Sequence, residues 1–515
     1  MTPFLRIPLF FFVACYTLVQ AGYFAYKQIT TRIARRRIIK EHGCEPPKSL
    51  DDQSWLPYVY RLKMVRMIRS AAKEHRLEKA SQERYREYGN THIGKFFHLT
   101  VVFTVEAENV KTVLATNFKD YELPAPRKRA FYPLLGFGIF TNDGADWKHS
   151  RELIRPNFSR DQVADLDNFE EHLSIMIDAI PKDGKTTVDL QDLFFGLTID
   201  TASEFLFGES TDVLLGRDSP ESRANLDFAE AWHRSQLEVQ NHIRSSFFYR
   251  APKQSKKDIK IVNDYVGKYV QQGLRYRKDF IRDPEKSTSK NGRYVFMHEL
   301  VKATDDPVRI RDEMLNVLLA GRDTTASLLG NMWFTLARRP DIWDKLRREI
   351  DETLHGNRPS FEQLKEMKYL KAVINESLRL DPVIPFNSRE ATTDTILPVG
   401  GGPKGKSPIL VRKGQLVNYT VWAMHRRPEY FGSDAEEFKP ERWEHIRPTW
   451  EYLPFNGGPR VCIGQQYALT EAGYTTVRLM QRFAKVESRD DRPWTESIAL
   501  TACNLHGTKV VLTPT

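Results

Sequence analysis

Twenty consecutive residues without a charge, Ile7 to Tyr26, are rich in Phe, Leu and Val, and about 20 apolar residues are enough to cross a bilayer as a helix. Beyond them the apolar positions recur mainly at helical spacing. The clearest run goes from Pro307 to about Arg339, with Asp306 suited to the N-cap, Pro307 to the first turn and Pro340 to a stop. At 1.5 Å per residue such a helix is roughly 50 Å long, enough to cross a whole domain. Alternating positions point to short strands at Lys95–Thr104, Ser388–Ile396, Lys413–Thr420 and near the C-terminus, too few for a large sheet. The expected class is mainly α with small β-sheets.

Gly43-Cys-Glu-Pro-Pro47 reads as a stiff hinge, and 217–222 and 286–293 as surface loops within one body. The expected division is an anchor over 1–26 with its helix at about 7–26, a basic Pro-containing linker over 27–47, and one catalytic domain over 48–515. Lys27, Arg32, Arg35, Arg36, Arg37 and Lys40 follow the apolar run with no acid among them, whereas only Arg6 and the amino terminus precede it. Basic flanks stay cytosolic, so the run reads as a signal anchor rather than a secretory leader cut after Val19-Gln-Ala21. That implies a single span in the endoplasmic reticulum membrane with the catalytic domain in the cytosol.

Composition narrows the classes. With 515 residues, 41% hydrophobic and 28% charged, the chain can bury a large core. Cys15, Cys44, Cys462 and Cys503 are too few and too far apart for a disulfide scaffold, which suits a reducing compartment. The net charge of +10 comes from 77 basic residues dispersed among 67 acidic ones, not from one basic patch, and this argues against nucleic-acid binding.

Phe455-Asn-Gly-Gly-Pro-Arg-Val-Cys-Ile-Gly464 is built to present a sulfur. Gly458 and Gly464 let the backbone turn tightly and aim N–H groups at Cys462, and a helical pattern starting at Gln465 adds a positive helix terminus, which depresses a thiol pKa. No second Cys or His lies near enough in sequence for a zinc site. A small buried thiol remains the alternative at this point. In the long helix, Gly321 of Ala320-Gly-Arg-Asp-Thr-Thr325 costs about 1 kcal/mol against Ala and implies a close neighbour, while Thr324 can divert a helix carbonyl and Asp323 can relay a proton. Helix packing would explain the same glycine. Glu376 and Arg379 stand three apart on one helix face, and Trp147 and Arg151 four apart.

Together these stretches resemble the cytochrome P450 superfamily, whose haem-binding signature is filled at every fixed position from Phe455 to Gly464. The resemblance implies the P450 fold, with the long helix lying over haem b and Cys462 as axial ligand of its iron. It implies that Asp323 and Thr324 deliver protons during oxygen activation. Trp147, Arg151, Arg389 and Arg460 match positions that meet the haem propionates, and Glu376, Arg379 and Arg442 match a structural triad behind the cysteine loop. Leu135–Gly144 and Leu397-Pro-Val-Gly-Gly-Gly402 look most like the fungal alkane and fatty-acid hydroxylases, from which Asp381 departs where that group has a bulky aromatic. The expected pocket wall is apolar: Leu135, Phe137, Ile139, Leu318, Leu319, Val383, Ile384, Phe386 and Leu500, residue types that also suit a core.

The implied function is a membrane-bound haem-thiolate monooxygenase that hydroxylates an unactivated C–H bond of a lipophilic substrate. A long-chain alkane or fatty acid at its terminus, or the alkyl part of a fungal secondary metabolite, fits that class. Implied partners are dioxygen, membrane lipid and NADPH–cytochrome P450 reductase. The 53 residues after Cys462 hold no flavin domain, so electrons from NADPH are expected through that separate protein, attracted by Lys148, Arg151 and Arg442. Two other readings are an isomerase or dehydratase of oxygenated lipids that needs no reductase, and a non-enzymatic membrane carrier of haem or steroid. Neither has a use for the acid–alcohol pair.

Overall fold

The Asp306 carboxylate accepts the Val308 N–H at 2.9 Å and Pro307 fills the first turn, so the central helix starts where its capping residues dictate. It runs Pro307–Leu336 and ends three residues before Arg339, because Pro340 does more than stop it: Pro340 opens the next helix, Pro340–Leu354. Ile310, Leu318, Leu329 and Trp333 have no exposed surface, as expected of a helix enclosed on all sides. Helices Leu190–Phe207 and Gln465–Arg482 pack along it, and Pro220–Ser245 and Lys253–Arg282 lie side by side as an outer layer. The structure is a computed structural model and describes residues 3–50, 57–96, 99–158, 164–216, 220–245, 249–283 and 294–515.

A six-stranded mixed sheet flanks the helices. Its order is Lys48–Ser49, Thr91–Phe96, Leu99–Thr104, Leu416–Thr420, Phe386–Ala391 and Tyr121–Glu122. The stretch expected as one strand at 95–104 is a hairpin, with Ile93 opposite Val102. The stretch 388–396 divides between the sheet strand Phe386–Ala391 and the separate hairpin Thr395–Gly401 with Ser407–Val411. Val102, Val417 and Tyr419 centre a second core on this sheet. The architecture is mainly helical with small sheets, as the periodicity predicts.

Two expected boundaries change. The N-terminal helix runs unbroken over Pro3–His42, so the basic segment expected as a linker is helical from Lys27 to His42. No Gly or Pro interrupts it between Gly22 and Gly43, and Gly43, at φ 63°, ends it. Only 43–47 is irregular, as a hinge requires. Arg35 grips Asp394, just before the 395–411 hairpin, at 2.8 and 3.0 Å, and Ser407 of the hairpin donates to Glu45, just after the helix, at 2.7 Å, so the end of this helix lies against the hairpin. The expected span 7–26 lies within the helix, but the side chains of residues 3–10 and 13 lie outside the described residues. Among those described, no helix is long and apolar enough to cross a membrane. Of the loops expected at 217–222 and 286–293, residues 220–222 begin the helix Pro220–Ser245, and 217–219 and 286–293 lie outside the described residues.

Candidate functional site

The Phe455–Gly464 loop is held by its own backbone. Asn456 and Gly458 adopt left-handed φ values of 60° and 67°, Cys462 N donates to Phe455 O at 3.0 Å, and Val461 N to Gly458 O at 3.0 Å. A side chain at Gly458 would collide with the Leu114 carbonyl, so that position excludes every residue with a Cβ. Gly464 is the N-cap of the helix Gln465–Arg482, and its N–H bonds the Cys462 sulfur. Burial nevertheless pushes the thiol up from its ordinary value, against the lowering effects of Gly464 and of the Arg151 charge. The expected depression is therefore not met by the protein alone, because the apolar surroundings outweigh one N–H and one cation. Cys462 is itself exposed, though enclosed by protein at longer range.

On the central helix a second small patch stays accessible. Ala320, Gly321 and Thr324 keep accessible surface while Leu319, Arg322, Asp323 and Thr325 around them are buried. A Cβ on Gly321 would meet the Ala202 methyl at 3.6 Å, an ordinary contact, so packing against the helix Leu190–Phe207 does not by itself demand glycine here. Thr324 Oγ1 donates to the Ala320 carbonyl at 2.6 Å, the diversion expected of it. Asp323 Oδ1 accepts from Arg322 at 2.9 Å, and Asp323 Oδ2 is buried with no protein partner.

Four arginines surround Trp147 and the loop. Arg460 lies over the indole ring at 4.5 Å and pairs with Asp143 at 2.6 Å. Arg389, 4% exposed, donates to Asn387 Oδ1 at 3.1 Å and to Ser388 O at 2.8 Å. Arg127, which sequence reasoning missed, shares Asn387 with it, and its buried Nε has no partner. Burial lowers Arg127 to about 10, with the Arg389 charge adding to the effect. Burial also lowers Arg460 to about 10 against the help of Asp143, with Arg389 and Arg127 opposing its charge. Arg151 lies 5.9 Å from the same indole ring and donates to Val461 O at 2.9 Å, beside Cys462. The basic run Pro126-Arg-Lys-Arg129 was the signal that could have flagged Arg127.

Behind the loop, the expected triad is assembled and fully enclosed. Glu376 receives Arg379 through two bonds at 2.8 Å, Arg442 Nε at 3.1 Å, Lys439 N at 2.8 Å and Trp443 Nε1 at 3.0 Å. Arg379 also donates to the carbonyls of His425, Ala435 and Glu437. His425, unmarked by sequence, carries this network to the cysteine loop: Nδ1 faces Arg379 O at 3.1 Å and Nε2 accepts Leu453 N–H at 2.9 Å. It is therefore a neutral imidazole protonated on Nδ1, and burial, aided by the Arg379 charge, lowers it to about 3.

Two expectations fail on burial. Arg442, 6% exposed, is spent on Glu376 and Asp434 and cannot meet an acidic partner, whereas Lys148 is on the surface. Leu318 and Leu135 have no exposed surface and belong to the helical core, so they line no pocket. Ile139, Ile384, Phe386 and Leu500 keep partial exposure, Leu319 and Val383 a little, and Phe137 is 53% exposed. The segments carrying them are tied together: Ala502 N donates to Val383 O at 2.9 Å, and Ser327 and Asn331 of the central helix bond Thr501 and Ala502 O, each at 3.2 Å. Asp381 pairs with Arg426 at 3.6 Å, next to the triad.

The donor set fits haem. One accessible sulfur in a glycine-shaped loop suits a ligand of haem iron, and Arg389, buried, with Arg127 and Arg460, half-buried, among which only Arg460 has a carboxylate partner and one Arg127 N–H has none, suit a ligand with two carboxylates. Comparison with known proteins agrees. The Cytochrome P450 family model matches residues 53–505. Cytochrome P450 monooxygenase fsdH of Fusarium heterosporum is 46% identical over 505 residues, covering 96% of this chain and 87% of its own. Cytochrome P450 monooxygenase himC of Aspergillus japonicus is 43% identical, covering 97% and 89%, and Cytochrome P450 52A13 of Debaryomyces hansenii 44%, covering 94% and 95%. With sequence, site and relatives in agreement over nearly its whole length, the chain belongs to the cytochrome P450 family.

Proposed function

We propose that this P450 monooxygenase hydroxylates an unactivated C–H bond in the alkyl part of a lipophilic substrate, and that Cys462 would hold the iron of haem b through its sulfur. The observation that carries this reading is the cysteine loop: an accessible Cys462 in a turn that only glycine permits at 458, at the start of the helix Gln465–Arg482 and backed by the Glu376–Arg379–Arg442 network. Bound haem supplies the activation of dioxygen. The chain's own residues bind, orient and proton-supply it. Arg127, Arg389 and Arg460 neutralise the propionates, with Trp147 as the platform under Arg460. Gly464 N–H and the Arg151 charge moderate the basicity of the sulfur. Thr324, fixed by the Ala320 carbonyl, holds a proton at Oγ1, and the unpartnered Oδ2 of Asp323 receives the next one from water.

Apolar side chains of Ile139, Leu319, Val383, Ile384, Phe386 and Leu500 favour a long alkyl chain over a polar molecule. A long-chain alkane or fatty acid oxidised at its terminus fits, as does the alkyl part of a fungal secondary metabolite. Electrons come from NADPH through a separate cytochrome P450 reductase that docks on the side of Lys148. The helix Pro3–His42 anchors the chain in the endoplasmic reticulum membrane, with the domain beyond 47 in the cytosol. The test is turnover of alkanes, fatty acids and lipophilic natural products by membranes carrying the protein and a fungal reductase, read by mass spectrometry. Products that require both NADPH and reductase support the reading, and undiminished turnover without the reductase refutes it. A chain that stays soluble after alkaline carbonate washing of those membranes refutes the anchor.

A further inference from the structure

The loop 135–141 is bound to the central helix by two side chains that neither catalysis nor haem binding uses. Asp312, 1% exposed, accepts the Phe137 N–H through Oδ2 at 2.8 Å. Asn316, with no exposed surface, accepts the Phe140 N–H at 3.1 Å and donates to Leu135 O at 3.0 Å. The loop is shaped to receive them. Gly136, at φ 59°, and Gly138 have no side chains where a Cβ would collide with the Asp312 carboxylate and the Asn316 amide respectively. Thr141 Oγ1 closes the turn on Gly136 O at 2.7 Å. Asp312, whose other oxygen Oδ1 is held by Arg311 at 2.6 Å, and Asn316 each answer a loop N–H and together form a clamp that leaves the backbone of Phe137–Phe140 one position.

We propose that Asp312 and Asn316 are positioning residues that determine which carbon of an alkyl substrate is oxidised, by fixing the Phe137–Ile139 wall relative to Thr324. The inference rests on the monooxygenase reading above. Asn316, Ala320 and Thr324 follow one another at four-residue steps, a single ridge of the helix, so the clamp and the proton-supplying hydroxyl share one rigid element. The axial distance from Thr324 is about 12 Å to Asn316 and about 18 Å to Asp312. Ile139 and Phe140 pack on the helical core beside this ridge, while Phe137 stays half out, edge-on to Tyr132 at 4.9 Å between ring centres. A chain threaded past Phe137 thus meets a wall at a fixed distance from the reacting position. Loosening the clamp lets the wall move and the chain slide, which changes the position of oxidation more than its rate.

The experiment uses the full chain with reductase and dodecanoic acid as probe, comparing wild type with Asn316→Ala, Asp312→Ala and Gly138→Ala. Gly138→Ala attacks the same contact from the loop side. Each single variant is expected to keep haem content, to be cut faster by chymotrypsin after Phe137 and Phe140, and to shift the ratio of terminal to subterminal alcohols at least about tenfold, the discrimination one methylene commands. Gly138→Ala added to Asn316→Ala is expected to change little further, since the amide it collides with is gone. Haem-loaded variants with the wild-type product ratio overturn the proposal, as do unchanged cleavage rates or strict additivity of the pair. Wild type that makes no oxygenated product from dodecanoic acid or from the alkanes, fatty acids and lipophilic natural products tested above overturns the functional reading instead, and the cleavage rates then decide the clamp.

Discussion

Replacing Glu376 by Gln tests whether the enclosed triad holds the cysteine loop. The carboxylate receives five hydrogen bonds, from Arg379 twice, Arg442, Lys439 N and Trp443 Nε1, and neither it nor Arg379 has exposed surface. An amide keeps one acceptor atom and turns an NH2 towards donors. At least one buried N–H is then orphaned, at about 1–3 kcal/mol. Two guanidiniums also lose their shared counter-charge, leaving Asp434 as the remaining carboxylate on Arg442. Breaking a buried pair in this way costs about 3–5 kcal/mol. Taking about 4 kcal/mol, the unfolded fraction rises roughly a thousandfold, a large share of the 5–15 kcal/mol that holds a typical domain. Because His425 joins Arg379 O to Leu453 N, the loss should reach the haem loop before the rest of the molecule. The assay is haem per polypeptide in purified protein, together with the urea midpoint for loss of the haem spectrum, and a shift on the order of 1 M is expected. Glu436→Gln, which removes a half-exposed partner of Arg426, serves as the control with a change below about 1 kcal/mol. Wild-type haem content and midpoint in Glu376→Gln would refute the reasoning.

Thr324→Ala is expected to keep haem binding but to divert electrons to peroxide, cutting product per NADPH at least about tenfold; unchanged coupling would remove Thr324 from the proton route. Arg127→Ala should have opposite effects on the two forms of the protein. It relieves repulsion from Arg389, so the haem-free fold is no less stable in urea, while haem release quickens by about tenfold or more for a lost charge-assisted bond. His425 is lowered to about 3 in the fold against about 6.5 unfolded, so the unfolded chain takes up the proton first. Its contribution is complete above about pH 6.5 and is lost as pH falls from there toward 3, at up to about 1.4 kcal/mol per unit. His92, lowered to about 3 mainly by burial, acts in the same window. Urea midpoints between pH 7 and 4 should fall for wild type and fall less steeply for His425→Gln.

What could be read from the chain depended on how local the physical cause was. The central helix was legible because its start is set by Asp306 and Pro307 and its enclosure by its own apolar residues. The cysteine loop was legible because left-handed and close-packed positions demand glycine at fixed spacing. The helical state of the basic segment after Tyr26 was legible only as the absence of a breaker before Gly43, because its charges give no apolar periodicity to mark it. Arg127, His425, Asp312 and Asn316 were not legible as a group, since each acts on a partner tens to hundreds of residues away, and only the fold sets Asn316 against Leu135 O or His425 against Leu453 N. Arg442 was legible as part of the triad and misread as a docking cation for the same reason: sequence gives its charge, while burial decides what that charge can reach.

The central claim is that Cys462 presents its thiolate to haem iron. Full-length protein reconstituted with haem, reduced and exposed to carbon monoxide, should give the red-shifted band of a thiolate-ligated complex. Cys462→Ser should lose that band, and Cys44→Ser and Cys503→Ser should keep it. Retention of the band in Cys462→Ser, or its loss in either of the other two variants, would contradict the assignment.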